Sequence, residues 1–286
     1  MSRNTSVSDN NLFPEFCYTA SKHDDIFQNF KMHPVFSQII GSWAYEPFVS
    51  MYLEVLQRIV NNPNFRISDE ALEKMLRIDS LGNPQKISIT IRNEIDPDKS
   101  KDLVCSLNYI RYLKVAFDIF SFFDTTKIKT VSEIGVGYGG QCSALVNLFS
   151  VTQYNLIDLP EVLSLAERCL TESDTTAGIR YFDGTHLYYD LPSDFFISSF
   201  AFSELKKSVQ DHYLEKVLLK SKAGYITWND GIEKKVWGTD GYTLQEILSI
   251  IPGAEAYFIP PQTYQGDQKV CVVLWGHENS QTEDRK

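Results

Sequence analysis

"VSEIGVGYGG", residues 131–140, decides how this chain is read. Gly135, Gly137 and Gly140 keep the G-x-G-x-x-G spacing that seats a dinucleotide pyrophosphate, while Glu133, Gly135, Gly137 and Gly139 spell the E-x-G-x-G-x-G of an S-adenosylmethionine turn. Both ligands need glycine where backbone closes on them, and both want an acid after the second strand for ribose hydroxyls, here Asp158. Those features do not discriminate. Glu133 does, because a carboxylate beneath the turn opposes a pyrophosphate at the helix N-terminus and favours the ammonium and sulfonium of S-adenosylmethionine.

Outward from this turn the chain alternates strands and helices. "KTVSEIG" (129–135), "QYNLID" (153–158), "IRYFD" (179–183), "DFFISSF" (194–200) and "GYITWN" (224–229) read as strands. "GQCSALVNLF" (140–149), "EVLSLAERCL" (161–170), "ELKKSVQDHYLEKVLLKS" (204–221) and "YTLQEILSII" (242–251) read as helices, which predicts a parallel sheet covered on both faces. The end departs from this pattern. "AEAYFIP" (254–260) and "KVCVVLWG" (269–276) are joined by only "PQTYQGDQ", too short for a crossover, so they pair antiparallel. A six-stranded dinucleotide fold would instead need another strand-helix-strand half.

The expectation is an α/β protein: a Rossmann-like, seven-stranded class I methyltransferase sheet with its last strand antiparallel, behind a helical N-terminal cap. Residues 1–11 and 277–286 are polar and aperiodic and read as disordered tails. Residues 12–123 form the cap and a wall of the substrate pocket, and 124–276 form the cofactor domain. Within the cap, "HPVFSQIIGSWAYEPFVSMYLEVLQRIV" (33–60) has apolar residues at three- and four-residue steps, and Ser68 is a simple N-cap for "SDEALEKMLRI" (68–78). A loop holding Gly82, Pro84 and Pro97 then leads to a helix over "SLNYIRYLKVAFDIFSFF" (106–123).

A formal net charge of -10 argues against a protein that lives on phosphate backbones or anionic lipid. Five scattered cysteines without a C-x-x-C pair disfavour a disulfide framework and a zinc site. No basic start with an apolar segment behind it is present, and no apolar run approaches the ~20 residues that span a bilayer. The expectation is a cytoplasmic protein without nucleic-acid partner or stable membrane insertion; a homo-oligomer is compatible with the sequence.

"VSEIGVGYGG", "YNLIDLPEVLSLAERCL", "DFFISSFAFSEL" and "GYITWN" together resemble the sugar O-methyltransferases of bacterial surface-polysaccharide biosynthesis. "DLPEV" is also similar to the D-L-P-x-V of plant-type small-molecule O-methyltransferases. The resemblance runs from Asn108 to Gly276 and extends only loosely to "HPVF" and "NYIRYL" before it. It implies S-adenosylmethionine as cofactor, S-adenosylhomocysteine as product, and methyl transfer to a hydroxyl of a sugar, nucleotide-sugar or glycan intermediate. A non-sugar O-methyltransferase and an NAD(P)-dependent oxidoreductase are the alternatives.

The candidate cofactor residues are Glu133 for the ammonium, Gly135, Gly137, Tyr138 and Gly139 for the methionine turn, Asp158 for the ribose diol, and Leu159 for the adenine wall. Asp183 or Thr185 suits the adenine amino group, and Ser199 stands at the end of the fourth strand. Asp158 is equally suited to cap the helix after Leu159 and Pro160, and "FDGTH" (182–186) to form a plain turn. The N/D-P-P-Y of amino-methylating enzymes is absent after the fourth strand, and where plant-type enzymes have a histidine base the matching residue is Ser203. His212 and Glu204 are the remaining bases, with His212 preferred for its near-neutral pKa. Asn229, Asp230, Trp237 and Tyr242 are the candidate acceptor contacts, and Tyr109, Arg111 and Tyr112 stand where they can close over the cofactor carboxylate. A divalent metal on Glu204, Asn229 and Asp230 is the less favoured way to activate the hydroxyl, and no metal ligand is assigned.

Overall fold

Apolar residues repeat densely through the middle of the chain, and they build a sheet with its helices. The computed structural model describes residues 12–40, 46–91, 100–175, 178–230, 240–257 and 269–277. Helices α1 (Leu12–Lys22), α2 (Asp24–Phe27), α3 (Pro34–Ile39), α4 (Glu46–Val60) and α5 (Asp69–Ser80) precede strands β1 (Ile87–Ile91) and β2 (Lys101–Cys105). Then follow α6 (Leu107–Phe122), β3 (Thr130–Ile134), α7 (Gly140–Leu148), β4 (Gln153–Asp158), α8 (Pro160–Glu172), β5 (Gly178–Asp183) and β6 (Ser193–Ser199). The chain closes with α9 (Lys207–Lys216), β7 (Ser221–Asp230), α10 (Leu244–Ile250), β8 (Glu255–Tyr257) and β9 (Lys269–Trp275).

The main sheet has seven strands in the order β5-β4-β3-β6-β7-β9-β8. β3 to β7 run parallel, and β9 inserts antiparallel between β7 and β8. The order reverses between β3 and β6, so a crevice opens at the carboxyl ends of these strands, where open α/β sheets bind ligands. One face packs under α6, α7 and α8, and the other under α9 and α10.

Two local structures depart from the sequence reading, and a third feature adds to it. The loop expected before the helix at 106 contains a two-stranded antiparallel sheet, β1 with β2, because Ile89 and Leu103 alternate inward while Thr90 Oγ1 bonds Asp102 Oδ1 across the pair at 2.7 Å. The helix expected over 204–221 is broken into a short 3₁₀ turn (Ala201–Glu204), α9, and a second 3₁₀ turn (Leu218–Lys220). Gln210 Nε2 donates to Phe202 O at 2.8 Å and Leu205 is extended, so the chain turns back before α9 begins. The N-terminal helices share one core with the sheet: α1 packs on α8, α5 on α7, and Phe30 and Phe36 reach Tyr138.

Ser68 caps α5 as the sequence suggests, accepting from Ala71 N at 3.1 Å. The start of α6 is fixed from a distance. Asp79 is 2% exposed; its carboxylate accepts from Ser106 N at 2.8 Å and from Ser106 Oγ, and Ser106 in turn caps α6. Removing this acceptor strands two buried donors, so Asp79→Ala is expected to cost about 2 kcal/mol in urea unfolding.

Candidate cofactor and acceptor site

The turn between β3 and α7 holds Gly135, Gly137 and Gly139 at φ of 77°, 54° and 85°, a region that side-chain-bearing residues avoid. It is clamped from β4. Asp158 Oδ2 accepts from Val136 N at 2.8 Å, and Oδ1 from Leu159 N at 2.8 Å. Asp158 therefore does not cap α8, whose N-cap is Leu159 without a side-chain bond. It ties the glycine turn to the end of β4.

Glu133 lies on β3 beneath the turn, 2% exposed, and Tyr154 Oη donates to its Oε2 at 2.8 Å. Burial pushes this carboxyl up to about 8; the Tyr154 hydrogen bond opposes the rise and the Asp158 charge adds to it. A cation arriving beside Glu133 would ionise it.

A cleft with a cavity volume of about 30 Å³ opens at the start of α7, where the turn ends. Its walls are Arg111, Tyr112 and Lys114 of α6, Gln141 of α7, and Tyr52 of α4. Ser199, Phe200 and Thr227, from the ends of β6 and β7, complete it. Gln141 Oε1 and Ser199 Oγ are buried and have no hydrogen-bond partner among the described residues. Phe200 adopts φ 71°, a strained conformation for a residue with a side chain, and its ring underlies the Arg111 guanidinium at 5.3 Å.

These residues fit S-adenosylmethionine. Glu133 is a buried carboxylate for its cationic end, Asp158 an acceptor for its ribose, and α7 an N-terminus capped only by Gly139, suited to its α-carboxylate. Gly135 and Gly137 are met on their α-carbon faces by Ala201 and Ile40, so close packing within the protein also requires them.

Other sequence candidates sit elsewhere. Tyr138 is fully buried among Phe30, Phe36 and Tyr112, with Lys31 Nζ 3.8 Å over its ring, so its side chain belongs to the core and not to the cleft. Asp183 accepts from Thr185 N at 2.8 Å and meets His186 Nδ1 at 2.7 Å, a closed turn at the end of β5. Burial there would raise its carboxyl, but the Thr185 and His186 hydrogen bonds outweigh it and hold the pKa below the ordinary value. Leu159 is half-buried against the core on the α8 side.

Glu204 follows β6, and its Oε1 accepts from Asn229 Nδ2 at 2.8 Å; burial raises its carboxyl pKa against that bond. Ser203 Oγ donates to Phe200 O at 2.7 Å and accepts from Asn229 N at 3.2 Å, locking this turn to the end of β7. His212 is on α9, half-buried beside Tyr213, and no residue of α9 lines the cleft. Tyr242 is likewise held by α9, through Gln210 Oε1, Asp211 and Lys207, away from the cleft. Trp237 and the side chain of Asp230 lie outside the described residues.

The sequence reading passed over Tyr52, Lys114, Gln141, Tyr225 and Thr227, all of which line the cleft. Lys114 and Asp118 carried a signal: two opposite charges at i and i+4 within the largely apolar second half of the helix form a buried pair, 2.5 Å apart. Among the described residues no group of three or more metal-ligating side chains occurs, and no helix is long and apolar enough to cross a membrane.

No family model matches the chain, and no curated protein matches it. Among solved structures it is similar to an S-adenosylmethionine-dependent methyltransferase from Clostridium acetobutylicum, at 10% identity over 57% of this chain and 88% of that one, with a TM-score of 0.43. The N-methyltransferase NodS from Bradyrhizobium japonicum matches at 12% over 57% and 92%, TM-score 0.44. The mitomycin 7-O-methyltransferase MmcR matches at 13% over 82% and 69%, TM-score 0.43. These likenesses are loose, and the strand order itself assigns the fold. A parallel β5-β4-β3-β6-β7 sheet with β9 inserted antiparallel before β8 is the class I, Rossmann-like methyltransferase fold.

Proposed function

We propose that this protein transfers a methyl group from S-adenosylmethionine to a hydroxyl of a sugar or sugar-containing intermediate. The observation that carries the reading is the glycine turn clamped by Asp158 above the buried Glu133, running directly into Gln141, which lines the cleft. When bound there, S-adenosylmethionine supplies a methyl group on a cationic sulfur. Glu133 holds its charged end, Asp158 its ribose, and Ser199 and Gln141 bond polar groups in the cleft. The aromatic walls Tyr52 and Phe200 exclude water and offer apolar faces to a sugar ring.

A sugar hydroxyl must lose its proton as the new bond forms. Glu204 is the base we assign: burial raises its pKa towards the working range, and Asn229 fixes one oxygen at the carboxyl edge of the sheet. Neither Glu204 nor His212 lines the cleft itself; Glu204 is preferred because it closely follows Ser199 and Phe200, which do, whereas no residue of α9 does. Glu204→Gln is expected to lower kcat by about a hundredfold or more, the usual reach of a general base. Binding of S-adenosylhomocysteine should stay unchanged, and His212→Ala should leave kcat intact. Loss of activity in His212→Ala with an active Glu204→Gln reverses the assignment.

The resemblance of the 131–229 motifs supports the sugar acceptor and a role in surface-polysaccharide or glycoconjugate synthesis. A radiolabelled methyl-transfer screen against nucleotide-sugars and lipid-linked glycans tests cofactor and acceptor together. Failure of S-adenosylhomocysteine to bind at millimolar concentration, or stabilisation by NAD(P)H in its place, would overturn the reading.

A further inference from the structure

Two cations line the cleft, and their environments differ. Lys114 Nζ is neutralised within α6 by Asp118 Oδ2, which also accepts from Tyr225 Oη at 2.8 Å. Arg111 forms no ion pair with a described residue. Its guanidinium donates to Asn108 Oδ1 at 3.0 Å and lies on the Phe200 ring. Asn108 is itself fixed, donating to Ile40 O at 3.1 Å. Among the described residues Arg111 is thus aimed but not neutralised, and most of its five donors meet no acceptor there.

A half-buried cation held in this way is stabilised by an anion placed on its planar fork. The cofactor's α-carboxylate is one candidate, but the N-terminus of α7, with Gly139 as its bare cap, provides that group a seat on backbone amides. Arg111 faces the ends of β6 and β7 instead, through Phe200 beneath it and Thr227 across the cleft. The unpartnered Gln141 Oε1 and Ser199 Oγ on the same walls accept or exchange hydrogen bonds with neutral hydroxyls.

We infer that Arg111 is the anion-binding residue of the acceptor subsite, and that the acceptor is an acidic sugar, carrying a carboxylate or a phosphate beside the hydroxyl that is methylated. This rests on the methyl-transfer reading for its word "acceptor", and the test keeps the two separate. Binding of glucose, glucuronate and glucose 1-phosphate to the full chain is measured by calorimetry, with and without saturating S-adenosylhomocysteine.

The expected result is that at least one acidic sugar binds about tenfold or more tightly than glucose, the range of a desolvated charge-assisted pair. Arg111→Gln should erase that preference and leave the Kd for S-adenosylhomocysteine within about twofold. Arg111→Lys, which keeps the charge and loses the fork, should retain part of it. Equal or absent binding of all three sugars overturns the inference. So does an Arg111→Gln variant that loses S-adenosylhomocysteine affinity while keeping the acidic-sugar preference, since Arg111 then serves the cofactor. Arg111-dependent binding of an acidic sugar in a protein that ignores S-adenosylhomocysteine would overturn the methyl-transfer reading and leave the anion subsite standing.

Discussion

Gly135→Ala is expected to abolish S-adenosylhomocysteine binding and to destabilise the fold by about 3 kcal/mol, the sum of a left-handed backbone penalty and an overpacking penalty. Gly135 sits at φ 77°, and a Cβ there would stand 2.0 Å from the Cβ of Ala201. Ala201 opens the 3₁₀ turn after β6, so relief of the clash must separate the glycine turn from the segment carrying Phe200 and Glu204. Both ligand-binding edges move together. Gly253 is the internal control: its φ is 70°, but nothing lies within 4 Å of the position of a Cβ. Gly253→Ala should therefore cost only the backbone share, about 1 kcal/mol, and leave binding intact. Equal stability losses in the two variants, read by urea unfolding, would refute the close-packing account.

The second large effect is a proton linkage at Glu133. Its carboxyl is pushed up to about 8 by burial, and the titratable groups around it are Tyr154 and Asp158 of β4, Cys142 of α7 and Tyr112 of α6. None of these is a cation. Without cofactor the side chain is mainly protonated below about pH 8, whereas an ammonium beside it favours the ionised form, so binding expels a proton. Affinity for S-adenosylhomocysteine should then rise with pH, by about fiftyfold between roughly pH 6 and pH 8, and level off above. Glu133→Gln should bind weakly and without that slope.

The stability of the ligand-free protein runs the other way. A carboxyl whose folded pKa is raised contributes stability that is fully present below its unfolded value near 4.5 and is lost as pH rises through about 8. The melting temperature of the free protein should fall across that window, and the fall should shrink in Glu133→Gln. A flat binding profile in the native chain would show that Glu133 is not the partner of the cationic end.

What the sequence made legible was local and periodic. The five parallel strands, the antiparallel ending and the glycine turn follow from apolar runs, loop length and residues able to take positive φ, each a property of a short window. Ser68 as a cap belongs to the same class, since a cap acts within one turn. The β1–β2 pair escaped notice because prolines and charges around it resemble a loop, while its pairing is set by the register of Ile89 with Leu103. The choice between His212 and Glu204 was not legible for a related reason. Residue type suggests a base, but where His212 stands depends on where α9 begins, and Gln210 bonding to Phe202 delays that start.

The sequence by itself determined the strands, their parallel run with an antiparallel ending, and the glycine turn, because hydrophobic period and glycine position are written residue by residue; the strand order came from the tertiary structure. Only the tertiary structure decided the cleft. It brought Tyr52, Arg111, Gln141, Ser199 and Thr227 together from five separate elements, turned Tyr138 into the core, and paired Lys114 with Asp118 while giving Arg111 no ion pair among the described residues. Those outcomes depend on burial and on neighbours distant in the chain, which no window of sequence contains.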